Sequence, residues 1–275
     1  MRQEHRLTLL LKAAGLSSST YHYQRHALAE EDPLGPLKAR IRSIYEEHRG
    51  CYGYRRVTAE IGRGGEKANH KKVQRLMVAM GLKSSVRPKK YRAFRGESSD
   101  AAPNKLQRDF RAAQPNQRWV TDVTEFKIAG ERLYLSPVLD LYNGEIVAYD
   151  IARRPLQAMI SSMLDKAFLR LRKEDRPLLH SDQGWQYQMA EYRNKLAARN
   201  ITQSMSRKGN CLDNAVIESF FGTLKSELFH QTRFDSTADL EKAIHHYIDY
   251  YNHHRIKIKL GGLSPVEYRT QAAQT

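Results

Sequence analysis

From Trp119 onward the chain reads as three extended runs followed by helices and strands in alternation, the order βββαβαβα. "RWVTDVTEFKI" (118–128), "RLYLSPVLDLY" (132–142) and "GEIVAYDIA" (144–152) are rich in β-branched and aromatic residues, and "AGE" and "NG" separate them. "LQAMISSMLDKAFLRLRKE" (156–174) has helical periodicity, "RPLLHSDQG" (176–184) is a short apolar run ending in a polar turn, "MAEYRNKLAARN" is a second helix and "ITQSMS" a last short strand. After the loop "RKGNCLDN" comes "NAVIESFFGTLKSEL" (214–228), where Ile217, Phe220, Phe221, Leu224 and Leu228 form one apolar stripe. A meander that passes into helix–strand alternation predicts an α/β fold: a mixed five-stranded sheet flanked by helices.

Upstream of that sheet the chain is helical and basic. Of 275 residues, 24 of the 46 Lys/Arg but only 11 of the 30 Asp/Glu fall within 1–111, and the whole carries +16. An excess of that size argues for a polyanionic partner, most simply DNA. Residues 1–29 read as two short helices turning at Gly15, with Ser17 as a cap, in the manner of a helix-turn-helix. Residues 34–83 read as a helical DNA-binding domain in which Asn69 caps a helix with Val73, Leu76, Met77 and Met80 inward and Gly81 as its stop. His70, Lys71, Lys72 and Arg75 occupy its other faces, and Arg55 and Arg56 precede it; these six are candidate DNA contacts. Residues 84–113 form a basic linker, with Lys89 and Lys90 as further contacts and a short helix expected near 104–111. No run of 18 apolar residues exists, so no membrane span is predicted. Cys51 and Cys211 show neither disulfide nor zinc spacing, which fits a reducing, cytoplasmic setting.

Three acids stand where such a sheet gathers chemistry. Asp122 lies in the first extended run, Asp182 at the end of the fourth, and Glu218 beside the buried stripe of the last helix. Carboxylates brought together repel unless a cation neutralises them, and oxygen-only ligands suit Mg²⁺ or Mn²⁺. Two such ions can hold the attacking and leaving oxygens of a phosphodiester. Glu125 and Asp140 compete with Asp122 for the first place, and Asp213 is placed as the N-cap of the last helix. Lys225, two turns beyond Glu218, is positioned for a phosphate. The histidines of "HHYIDYYNHHR" (245–255) are read as packing and partner contacts rather than as metal ligands.

"WVTDVTEF", "LLHSDQGWQY" and "SRKGNCLDNAVIESFFGTLKSEL" resemble the catalytic motifs of the DDE transposases of the IS-three family of insertion sequences, the second reading-frame product, in the superfamily of retroviral integrases. The 35 residues between Asp182 and Glu218 match the family's interval. "HRGCYGYRRVTAEI…NHKKVQRLMVAMGL" is similar to its upstream helix-turn-helix, and "YIDYYNHHRIKIKLGGLSPVEY" to its C-terminal segment. The resemblance implies an RNase H-like catalytic domain over 114–230 and a helical extension over 231–275. It further implies Asp122, Asp182 and Glu218 as ligands of two Mg²⁺ or Mn²⁺ ions, with Lys225, Arg207, Lys208, Asn210 and Asn214 on DNA. The implied chemistry is cleavage that frees a 3′-hydroxyl, then strand transfer, with element ends and target DNA as partners. At least a dimer on nucleoid DNA is implied, and a possible upstream-frame product, separate or fused. An RNase H-like nuclease without transfer, or a DNA-binding regulator on this scaffold, are the competing readings.

Overall fold

The computed structural model describes residues 6–29, 32–85, 102–207 and 211–274. Lys89, Lys90, Lys208 and Asn210, named above as DNA contacts, lie outside them. Helices α1 (Leu7–Ala13) and α2 (Ser18–Ala29) turn at Gly15 (φ +64°), and the Ser17 hydroxyl accepts the Thr20 N–H at 3.0 Å. Next come α3 (Gly35–Glu47), α4 (Tyr54–Arg63) and α5 (His70–Ala79), packed around Ile41, Ile44, Val57, Ile61, Val73 and Met77. Asn69 caps α5 as its position predicts, accepting the Lys71 N–H at 2.8 Å. The helix expected near 104–111 is instead a turn. Gln107 and Arg108 both adopt positive φ, which no helix accommodates.

The sheet has six strands by count: β1 (Arg118–Thr121), β2 (Thr124–Ile128), β3 (Glu131–Asp140), β4 (Ile146–Ala152), β5 (Leu178–Ser181) and β6 (Thr202–Met205). The prediction was five, and the difference lies in one interruption. Both β1 and β2 pair antiparallel with β3, and the pairs Thr121–Val138 and Thr124–Leu135 share one register, which sets position 122 opposite Pro137. The Leu141 N–H donates to Arg118 O, so odd-numbered residues of β3 face this strand. Pro137 has no N–H to give, and the ladder opens at Asp122–Val123. Asp122 therefore stands in a gap of the strand, not within it.

Helices cover both faces. On one face Val120, Phe126, Leu135 and Leu139 meet the predicted stripe of α9 (Ala215–Leu224), together with Leu240, Ile244 and Tyr251 of α10 (Thr237–His253). On the other, Trp119, Val138 and Leu179 meet α6 (Gln157–Phe168) and α8 (Ala190–Ala198). Trp119 and Val120 thus point to opposite faces, as strand geometry requires. The short α7 (Trp185–Gln188) follows β5, a π turn (Lys225–Phe229) extends α9, and α11 (Pro265–Ala272) closes the chain behind a Ser264–Glu267 capping box.

A buried carboxylate ties the helical domain to this core. Glu227, in the π turn, accepts from Arg255 Nε at 2.8 Å and Nη2 at 2.6 Å and from the Tyr247 hydroxyl at 2.9 Å, while Arg56 Nη1 of α4 stands 3.7 Å away. Tyr52 accepts the Ile256 N–H at 2.9 Å, and Ile256 is fully buried among the α3–α5 side chains. Breaking a buried pair leaves an uncompensated charge, at a cost of about 3–5 kcal/mol. Arg255→Met is accordingly expected to lose about that much stability in urea denaturation of the full chain, and Arg255→Met with Glu227→Gln to recover part of it. A single-variant loss below about 1 kcal/mol, the range of an exposed pair, would contradict this role.

Candidate active site

Strand β1 is central: antiparallel to β3 on one side and parallel to β5 on the other. The parallel register pairs Arg118, Trp119 and Val120 with Leu178, Leu179 and His180. Continued two residues further, it sets Asp122 level with Asp182 just past both strand ends. Neighbouring strands lie about 4.8 Å apart, so the two carboxylates face each other at close quarters. Both are half-buried. The Val123 N–H donates to Asp122 Oδ1 at 2.7 Å and the Gly184 N–H to Asp182 Oδ1 at 2.9 Å. One oxygen of each is thereby fixed by backbone.

Burial, then the Asp182 charge, pushes Asp122 up to about 8; the Glu218 charge adds, and the Val123 N–H and the Lys225 charge oppose it. Burial likewise raises Asp182. Glu218 lies on the exposed side of α9, beside the buried stripe, and is raised by desolvation and then by Asp182. The third acid therefore acts on the pair through its field. Among the described residues no three His, Cys, Asp or Glu side chains close into a ready chelate. Lys225 Nζ sits 5.2 Å from the Phe126 ring centroid, near enough for its charge to reach Asp122. An oxygen-only set whose members repel one another suits a hard divalent cation.

The competing acids are engaged elsewhere. Glu125 accepts from Tyr134 at 2.8 Å and Arg132 at 3.2 Å at the sheet edge. Asp140 is fully buried, bound by Arg269 and by the Asn116 and Tyr142 N–H groups. Asp213 does not cap α9: the helix starts after it, at Asn214. Its buried carboxylate instead takes Arg207 Nε at 2.9 Å, Arg108 Nε at 2.7 Å and Asn104 Nδ2 at 2.8 Å, and these contacts hold it below the usual range.

The DNA-contact candidates divide. Arg55, His70, Lys71 and Arg75 are exposed, and Lys72 is half-buried. Arg207 is largely exposed yet doubly bonded to Asp213. Two readings are corrected. Arg56 turns inward to Glu227 and lies 5.3 Å from the Tyr52 ring centroid, because a buried carboxylate outcompetes solvent for its guanidinium. Asn214 is buried at the start of α9, its amide without a partner among the described residues, so it is not a surface contact. Of the four C-terminal histidines, His245 Nδ1 pairs with the Tyr149 hydroxyl at 2.7 Å, and His253 Nε2 lies 3.7 Å from Asp249.

Tyr187 and Tyr192 were not foreseen. Both are fully buried and stack edge to face, and among the described residues their hydroxyls lack well-formed hydrogen bonds. Burial, then the charges of Asp122 and Asp182, raises Tyr187 well above the usual phenol. "WQYQMAEY" shows only aromatic residues near a helix start; nothing in it says that they underlie two acids.

An integrase core domain family matches residues 112–211, a second integrase core family matches 218–272, and a helix-turn-helix-like family matches 34–91. A putative transposase, InsK, for insertion element IS150 of Escherichia coli K12 is 53% identical over 98% of this chain and 96% of its own. An uncharacterized transposase-like protein of Haemophilus influenzae is 57% identical over 75% of this chain and 95% of its own. Transposase InsF for insertion sequence IS3A of E. coli K12 is 32% identical over 80% and 77%.

Without divalent cations, folded Asp122 keeps its proton up to about pH 8, whereas the unfolded chain releases it near the ordinary 3.8. The unfolded state then binds fewer protons, so stability falls as pH rises between those values. Asp122→Asn, which has no charge to lose, is expected to melt a few degrees above wild type at about pH 8 in EDTA, the two curves meeting near pH 4. Scanning fluorimetry across that range checks this; a variant melting below wild type at the alkaline end would contradict the acid-pair geometry.

Proposed function

The chain belongs to the integrase-core transposases of insertion sequences, the group of the IS150 and IS3 proteins, and from that premise we propose that Asp122, Asp182 and Glu218 are its catalytic carboxylates. It is a polynucleotidyl transferase of the DDE type with DNA as its partner. The observation that carries the assignment is the β1–β5 register, which levels Asp122 with Asp182. The rise of Asp122 under burial and the Asp182 charge agrees with it, and Glu218 is raised by burial and then by Asp182.

In this reading Asp122, Asp182 and Glu218 would hold Mg²⁺ or Mn²⁺, up to two ions per site. Bound there, the metal supplies charge neutralisation and polarises the phosphodiester oxygens. The Val123 and Gly184 N–H groups keep the aspartates from turning away, so their geometry is set before DNA arrives. In the first step a water oxygen bonds to phosphorus at an element end while the bond to the 3′-oxygen breaks, leaving a free 3′-hydroxyl. In the second that 3′-oxygen attacks another phosphodiester, forming one P–O bond and breaking one. No side chain bonds covalently to DNA. Lys225 meets the strand that passes the acids. His70, Lys71, Lys72 and Arg75 on α5, with Arg55, bind the terminal repeats. Two ends require two copies on the DNA.

Incubating the full chain with pre-cleaved element ends, target DNA and Mg²⁺ tests this. Wild type is expected to join ends to target, and Glu218→Gln to lose at least about a hundredfold in joining, the scale for removing a preorganised electrostatic group, while still binding DNA. Glu218→Gln with intact joining would sink the assignment; wild-type cleavage without joining would favour a nuclease.

A further inference from the structure

On a different face of α9 from Glu218 lies a second feature that the acid chemistry does not use. A cavity of about 430 Å³ opens between α9 and the segment after α10. Ser219 and Thr223 of α9 line one side, and Arg56, Arg255, Lys257 and Lys259 supply four cationic side chains. Among the described residues no Asp or Glu lines it. Glu227, reached by Arg56 and Arg255, neutralises charge behind the wall but not inside it.

Lys257 is the telling residue. Its ammonium donates to Gly144 O at 2.9 Å and to the Tyr251 hydroxyl at 2.8 Å, and stands 4.5 Å from the Tyr251 ring centroid. All three partners are neutral. Burial, then the charges of Lys259, Arg255 and Arg56, pushes it well below the ordinary lysine range. A charged group so enclosed is held at a cost unless an anion joins it. Gly144 has φ +71°, so the turn itself calls for glycine, and its carbonyl is free to take the Lys257 ammonium. Ser219 and Glu218 are both exposed residues of α9, so the cavity and the acid that we place on the scissile strand share that helix.

We propose that this cavity binds a backbone phosphate of the DNA strand engaged at the acid site, with Lys257 and Lys259 as its cationic donors and Ser219 and Thr223 as hydroxyl donors. The proposal rests on the transposase reading for the identity of the strand, and deepens it by giving the nucleic acid a second anchor on α9. A phosphate is the chemistry that fits: compact, anionic, and able to accept from ammonium, guanidinium and hydroxyl groups together.

The test uses the full chain with Lys259→Gln, an exposed position, and Lys257→Met. Binding of a fluorescent element-end duplex is measured as a function of salt, and melting temperature as a function of added inorganic phosphate. Each variant is expected to flatten the salt dependence by about one unit of slope, one phosphate contact. Each is also expected to lose the rise in melting temperature that phosphate gives wild type. A wild-type slope in Lys259→Gln overturns the DNA assignment. If its phosphate response is also lost, the cavity serves a free phosphoryl ligand instead. Should Lys257→Met fail to fold, Lys259→Gln decides alone. Glu218→Gln separates the two readings: retained joining with a flattened Lys259→Gln slope removes the acid assignment and leaves the phosphate site. Lost joining with an unchanged Lys259→Gln slope does the reverse.

Discussion

The parallel pairing of β1 with β5 is the constraint on which the site rests. Parallel neighbours need a long crossover, and here β3, β4 and α6 supply it. Residues far apart in the chain then sit side by side at the strand ends. Because side chains alternate between the faces of a strand, a slip of one residue would turn one acid toward the opposite face of the sheet. The register is secured by burial: Trp119 and Leu179 are fixed in one helix-covered face and Val120 in the other. The packing of the core thus holds two like charges together against their repulsion.

The last helix was the most legible element. Its stripe of Ile217, Phe220, Phe221, Leu224 and Leu228 is buried where periodicity placed it, because one helix face against one core is a local pattern. Asn69 was legible for the same reason, since a cap acts within one turn. The six-strand count was not, because it depends on Pro137 across the ladder from Asp122, a partner that no linear window reveals. Asp213 looked like a cap from its neighbours; Arg108 and Asn104, a hundred residues earlier in the chain, claim it instead. Arg56 shared the sign of its surroundings, but Glu227 draws it inward. The misreadings of Asp213 and Arg56 share one cause: buried charges choose distant partners, and spacing in sequence carries no information about them.

Site and scaffold also divide the acids by task. Asp140, Glu145 and Glu227 are buried more deeply than Asp122, and each is met by an arginine: Arg269 holds the first two and Arg255 the third. Among the described residues the hydrogen bonds to the Asp122 and Asp182 carboxylates come from backbone N–H groups. Buried carboxylates with arginine partners are satisfied within the chain. The two without them are the ones that the proposed function assigns to a cation from solution.

Ile256 belongs to the hydrophobic core of the α3–α5 bundle although it lies just beyond α10, whose own side chains pack into the sheet. Two modules that interlock in this way cannot pivot freely about a hinge. For any duplex gripped by both, the stretch read at one jaw and the bond broken at the other stand a constant number of base pairs apart. Ile256 and the Glu227 cluster thereby set the spacing of the two modules by side-chain packing rather than by the length of a tether.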